Sequence, residues 1–116
     1  MTDKTSIRDR ASAALREAMK TRDVEAVAAL RTLLAESANA EAPPSQVRAG
    51  AIELAPALGA AEVERLTLSE ADLTAIAVRE LDELGRAADG ADARGSASDV
   101  SRWGRRQEVV ARLLDD

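Results

Sequence analysis

A chain of 116 residues with a net charge of −5 and 46% apolar residues can form a single domain with one modest core. That core must be thin, because 26 of the apolar residues are alanine and Trp103 is the only aromatic residue. The absence of His and Cys excludes ordinary zinc and redox sites, a thiol nucleophile and an imidazole base. No apolar stretch approaches a membrane span and residues 1–4 do not open a signal peptide, so we expect a cytoplasmic protein without membrane contact.

Two amphipathic helices are predicted near residues 6–20 and 24–38, where apolar residues recur every three or four positions. Thr5 or Ser6 can cap the first helix, and Asp23 can cap the second. The short break between them predicts an antiparallel hairpin. The two apolar stripes are Ile7, Ala11, Ala14, Leu15, Ala18 and Met19, and then Val24, Val27, Leu30, Leu33 and Leu34.

Residues 40–65 differ in character, because Pro43, Pro44 and Pro56 stand among alanines and cannot continue a helix. This stretch is predicted to be a linker or insert. A short helical turn around residues 46–54 is the alternative for part of it.

A third helix is predicted near residues 69–88, after a capping box formed by Thr67 with Glu70 or by Ser69 with Asp72. Its apolar face consists of Leu73, Ile76, Ala77, Leu81 and Leu84. Gly85 or Gly90 is expected to end it.

A turn over residues 90–98 leads to a fourth helix near 98–114, capped by Ser98 or Asp99. One face of that helix carries Val100, Trp103, Gln107, Val110 and Leu114, and we expect Trp103 to pack against the other helices. The chain is therefore predicted to be a single all-α domain over residues 1–116, with two helical hairpins joined by a Pro/Ala-rich linker.

Acidic residues cluster in the predicted third helix, where Glu80, Asp82 and Glu83 are close in sequence. Helical neighbours one or two positions apart point in different directions, so a solvated acidic face is the favoured interpretation. A weak divalent-ion site on that face is the alternative. No phosphate-binding glycine loop is present, and no catalytic residue, cofactor or metal ligand is assigned.

Several segments, in order, resemble the YqeY-like family, whose members share a helical region with the tail of GatB, a subunit of the glutamine-dependent tRNA amidotransferase. The segments are residues 18–23, 29–34, 39–41, 66–73 and 78–80. The alanine-rich insert with residues 59–65 resembles the short, actinobacterial-type variant of the family. Longer members continue after the fourth helix into a second helical domain, which we do not expect here.

The resemblance implies a non-catalytic accessory module. Thin alanine-rich helix faces and a linker with apolar residues favour an adaptor that acts through an unknown protein partner or through self-association. It also implies an alternative, weak binding of tRNA or other RNA, although the acidic composition opposes attraction to phosphates. The family label further implies a glutamine-dependent carbon–nitrogen ligase complex, but the chain carries no catalytic residues for that reaction. The candidate RNA-binding residues are Lys20, Arg22, Arg31, Arg102, Arg105 and Arg106.

Overall fold

A computed structural model of the chain describes residues 5–42 and 68–115. Within these ranges the chain forms four helices and no strand: α1 (Ile7–Thr21), α2 (Val24–Glu41), α3 (Glu70–Ala93) and α4 (Ala97–Asp115). The predicted all-α class is confirmed, and the hairpins α1–α2 and α3–α4 each pack closely. Residues 40 and 41 of the predicted linker belong to α2, and residues 43–65, with the suggested turn at 46–54, lie outside the described residues.

The first two helices begin at the predicted caps. Ser6 Oγ accepts a hydrogen bond from the N–H of Asp9 at 3.0 Å, and Asp23 Oδ1 accepts one from the N–H of Ala26 at 3.2 Å. Each cap satisfies a backbone N–H that has no partner within its own helix.

The capping box of α3 forms in the second of the two predicted registers. Ser69 Oγ accepts from the N–H of Asp72 at 3.0 Å, and Asp72 Oδ2 accepts from the N–H of Ser69 at 3.1 Å. Thr67 lies outside the described residues. Glu70 accepts instead from the N–H of Ile7 at 2.8 Å, which joins the start of α1 to the start of α3.

The predicted end of α3 at Gly85 or Gly90 is wrong, because the helix continues through both glycines to Ala93. Glycine within a helix costs only about 1 kcal/mol relative to alanine and does not by itself stop it. The helix ends where Gly95 adopts a left-handed conformation with φ of 75°, which lets the next N–H bond back to Ala91 O at 2.9 Å.

The cap of α4 also differs from the prediction. Ser96 Oγ accepts from the N–H of Asp99 at 3.4 Å, so Ser98 and Asp99 lie inside the first turn. The difference follows from the longer α3, which leaves only a short connection before α4.

The core lies around α2, which contacts each of the other three helices. Its Leu30 and Leu33, together with Val110 of α4, are the largest fully buried side chains of the described residues. Met19 and Val24 were assigned to the apolar stripes, but they are 50% and 71% exposed because they lie beside the turn between α1 and α2.

The helices of the two hairpins contact one another to different extents. α4 packs on both α3 and α2, whereas α1 packs mainly on α2 and touches α3 and α4 only lightly. This arrangement leaves an open space between α1 and α4. Among the described residues, no helix combines the length and the apolar character that crossing a membrane requires.

Candidate functional site

A groove of about 450 Å³ lies between α1 and α4, with α2 at its base. Each helix contributes side chains spaced by three or four residues, so one face of each helix lines the groove. The lining residues are Arg10, Ala13, Ala14, Glu17, Ala18 and Thr21 from α1, Asp23, Ala26 and Leu30 from α2 and its cap, and Arg105, Val109, Arg112 and Leu113 from α4.

Alanine explains why this groove is open. Along the α1 face, Ala13, Ala14 and Ala18 stand where larger apolar side chains would span the gap to α4. From Arg10 to Thr21 the face extends for about 16 Å at 1.5 Å per residue, which is three helical turns. The groove is therefore long enough for a short helical segment of another molecule.

One end of the groove is positively charged. Arg10 donates through Nη2 to Leu113 O at 2.6 Å and through Nη1 to Thr5 O, and its Nε is buried without a hydrogen-bond partner. Arg112 is exposed and has no carboxylate partner among the described residues. Arg112 can therefore interact with an acidic group that enters this end of the groove, and the charge of Arg10 adds to the positive potential there.

The other end is closed by an ion pair. Arg105 Nη2 lies 2.6 Å from Asp23 Oδ2, and Arg105 Nη1 lies 2.7 Å from Glu108 Oε1. The hydrogen bond from Arg105, followed by that from the backbone of Ala26, lowers the pKa of Asp23, so this carboxylate stays ionised. With one guanidinium and two carboxylates, these three groups carry a net negative charge.

The other two candidate arginines of α4 are also paired. Arg102 binds Asp99 of its own helix at 2.8 Å, whereas Arg106 reaches Glu25 of α2 at 2.6 Å. Both guanidinium groups lie over the ring of Trp103, at 5.0 Å and 4.8 Å from its centroid. Trp103 is only partly buried and packs against the edge of the core, so it is less enclosed than its predicted position on the apolar face suggested.

The remaining candidates, Lys20, Arg22 and Arg31, are exposed and have no carboxylate partner among the described residues. Lys20 and Arg22 lie beside Asp23, which binds Arg105, so this ion pair brings the candidate arginines of α4 close to them. Arg31 lies on α2, about 12 Å along the helix axis from Asp23. The structure thus places Lys20 and Arg22 near Arg105, whereas Arg31 lies apart from these candidate RNA-binding residues.

The acidic face of α3 is partly buried, which corrects the solvated interpretation for Glu80. Glu80 is 6% exposed, and its carboxylate lies close to those of Glu36 on α2 and Glu83 on α3. Burial first, and then repulsion from Glu36 and Glu83, raises the pKa of Glu80 to about 7.

Sequence reasoning did not find the groove or the Glu36–Glu80 contact. Arg10, Ala14, Glu17 and Thr21 do recur at helical spacing, but the pattern alone does not show that α4 fails to cover that face. Glu36 and Glu80 are 44 positions apart on different helices, so no local spacing connects them.

Comparisons of the chain with protein-family models, with curated proteins and with solved structures gave no match. The resemblance to the YqeY-like family therefore stays a prediction.

Proposed function

We propose that the chain is a non-catalytic, cytoplasmic adaptor module that binds an amphipathic helix of a partner protein in the groove between α1 and α4. The observation that carries this proposal is the groove itself, three helical turns long, with a base of apolar side chains and arginines at one end. Helices commonly bind other proteins by laying an apolar face, built from residues at i, i+3, i+4 and i+7, into such a groove.

The shape of the groove favours a helix over a small molecule. It is an open groove along three helix faces rather than a deep enclosed pocket, and its charged side chains lie mainly toward its two ends instead of converging on one point. Alanine walls allow a partner backbone to approach closely, because they present little bulk.

The positive charge at one end of the groove indicates which end of the bound helix is acidic. The exposed guanidinium of Arg112, beside the positive charge of Arg10, favours Asp or Glu at one end of the bound helix. Self-association, with the groove of one copy against the groove of a second copy, is the alternative to a partner helix.

The YqeY-like resemblance agrees with this class of function, since it relates the chain to the tail of one subunit in a multisubunit enzyme. It also supports a second candidate, weak binding of tRNA. The observation that favours this candidate is the exposure of Lys20, Arg22 and Arg31 without carboxylate partners among the described residues.

A peptide display experiment tests the adaptor proposal. The purified chain is used to select binders from a library of helical peptides, and the enriched sequences are then titrated against variants. We expect an apolar stripe over about three turns with an acidic residue near one end. Ala13→Trp should abolish binding, because Ala13 is exposed and lines the groove, so the new side chain fills it without entering the core.

The matched control is Ala35→Trp, at an exposed position of α2 that does not line the groove, and it should bind the peptides like the wild type. Arg112→Glu should weaken binding by roughly tenfold or more if an acidic residue contacts it. Enriched peptides that bind Ala13→Trp undiminished, or a selection without enrichment, would contradict the proposal.

A further inference from the structure

Three carboxylates from two helices converge at the contact between α2 and α3. Glu80 and Glu83 are one turn apart on α3 and point to the same side, toward Glu36 of α2. One oxygen from each lies within 4.8 Å of one from each of the others. This geometry places up to three negative charges in one small region.

Burial makes this cluster unlike an ordinary acidic surface. Glu80 is 94% buried, since 6% of it is exposed. Among the described residues, it has no hydrogen-bond or ion-pair partner outside the cluster. Glu36 Oε1 is also buried and lacks a hydrogen-bond partner. Burying carboxylate oxygens without a donor is costly unless a proton or a cation neutralises them.

The protein supplies little compensating positive charge. Arg106 of α4 is the one cation that acts on Glu80 among the described residues. Its Nε is already bound to Glu25 at 2.6 Å, and its guanidinium lies over the ring of Trp103. The cluster therefore keeps at least one buried oxygen, Glu36 Oε1, without a donor from the described residues.

We propose that Glu36, Glu80 and Glu83 bind one divalent cation of the calcium class. An all-oxygen set without His or Cys suits a hard cation and not zinc or copper. Calcium binds oxygen at about 2.3–2.6 Å, so ligands on opposite sides of it are at most about 4.6–5.2 Å apart. The three oxygens lie within 4.8 Å of one another, so one ion can contact all of them. Calcium accepts the irregular geometry of such a set, whereas magnesium demands near-ideal octahedral geometry and gives up its water reluctantly.

Protons compete with the cation for the same oxygens. The charged groups that act on Glu80 are Glu36 from α2, Glu83 from α3 and Arg106 from α4, and its pKa is raised to about 7. Binding of calcium requires the ionised carboxylates, so it releases a proton near neutral pH and tightens as the pH rises.

Thermal unfolding with and without CaCl₂ tests the site. We expect about 1–10 mM CaCl₂ at about pH 8 to raise the Tm of the wild-type chain by roughly 3–8 °C, by binding only the folded state. MgCl₂ should raise it less, and the effect of calcium should shrink at about pH 5.5. Calorimetry in two buffers of different ionisation enthalpy should show proton release.

Two variants and one control make the outcome specific. Glu80→Gln and Glu83→Gln should lose the calcium effect, and Glu83 is exposed, so its variant keeps the fold even if the buried one does not. Asp89→Asn, at an exposed position on the same helix outside the cluster, should respond like the wild type. A wild-type Tm that calcium leaves unchanged, or a Glu83→Gln variant with the full response, would overturn the proposal.

Discussion

Arg105 of α4 binds Asp23, the residue that caps α2, with 2.6 Å between Nη2 and Oδ2. Because Asp23 Oδ1 also accepts from the N–H of Ala26, one carboxylate both starts a helix and joins the two hairpins. The same ion pair closes one end of the groove.

Replacing Asp23 should therefore destabilise the fold through two contacts. We expect Asp23→Ala to lower the free energy of unfolding by about 1–2 kcal/mol, most of it from the lost cap. Arg105→Gln should cost less, since the pair is partly exposed to solvent. Urea unfolding of both single variants and the double variant measures the coupling, and strictly additive losses would mean that the ion pair contributes nothing.

Arg22 offers a stabilising substitution. It ends α1 in a left-handed conformation with φ of 59°, where the N–H of Asp23 bonds back to Ala18 O at 2.9 Å. Side chains other than glycine are strained there, so Arg22→Gly should raise the free energy of unfolding by about 0.5–1 kcal/mol. Arg22→Ala keeps the strain and is the matched control. Equal stability of the two variants would show that the turn relaxes.

Trp103 should contribute less to stability than a fully buried tryptophan, whose replacement by alanine costs about 3–5 kcal/mol. It is partly buried, with Arg102 and Arg106 over its ring. We expect Trp103→Ala to cost about 2–3 kcal/mol in chemical unfolding. The fluorescence maximum should lie between the values for buried and water-exposed indole, and a maximum at either extreme would contradict this placement.

Glu80 should make stability depend on pH in a direction opposite to that of most carboxylates. Its pKa is raised from 4.5 to about 7, so the folded chain binds the proton more tightly than the unfolded chain does. This contribution is complete below about pH 4.5 and is lost as the pH rises through about 7.

The measurement is the free energy of unfolding from about pH 5 to pH 8 in a metal chelator, for wild type and Glu80→Gln. The difference between them isolates Glu80 from groups such as Asp23, whose lowered pKa acts in the other direction. The wild type should lose stability relative to the variant as the pH rises. A difference that stays constant would mean that the carboxylate is not perturbed.

Binding of tRNA by the isolated chain should be weak, with Kd at or above about 10⁻⁶–10⁻⁴ M at physiological salt. The three candidate arginines of α4 already have carboxylate partners, and the net charge is −5. Lys20, Arg22 and Arg31 are thus the better set to change together to glutamine in a titration of labelled tRNA at two salt concentrations. Tight binding that resists salt and survives this triple variant would place an RNA site elsewhere.

A test of the other candidate RNA-binding residues, Arg102, Arg105 and Arg106, requires a structural control. Changing these residues to glutamine also breaks the contacts of Arg105 with Asp23 and of Arg106 with Glu25. Any loss of RNA binding in that variant is informative only if its helicity and Tm match those of the wild type.

Local patterns in the sequence were sufficient to predict the helices, because apolar periodicity and caps such as Ser6 and Asp23 depend on near neighbours. The end of α3 was misplaced because Gly85, Gly90 and Gly95 look equivalent in a sequence, and only the last adopts positive φ. The groove and the cluster at Glu80 depend on how helices far apart in the chain approach one another. Helical periodicity carries no such information.

The alanine face of α1 has a consequence for the order in which the fold opens. Among the described residues, α1 is held by the packing of mostly small side chains, with Ile7 and Leu15 as its larger apolar contributions. A few polar contacts add to this, including Ile7 to Glu70, Arg10 to Leu113 and Arg8 to Glu41. Each buried alanine contributes little transfer free energy, so detaching this helix costs far less than disrupting Leu33 and Val110. The amides of α1 should exchange with deuterium by local opening, ahead of those in the centre of α2. A helix bound in the groove would touch α1 and α4 together and slow that exchange.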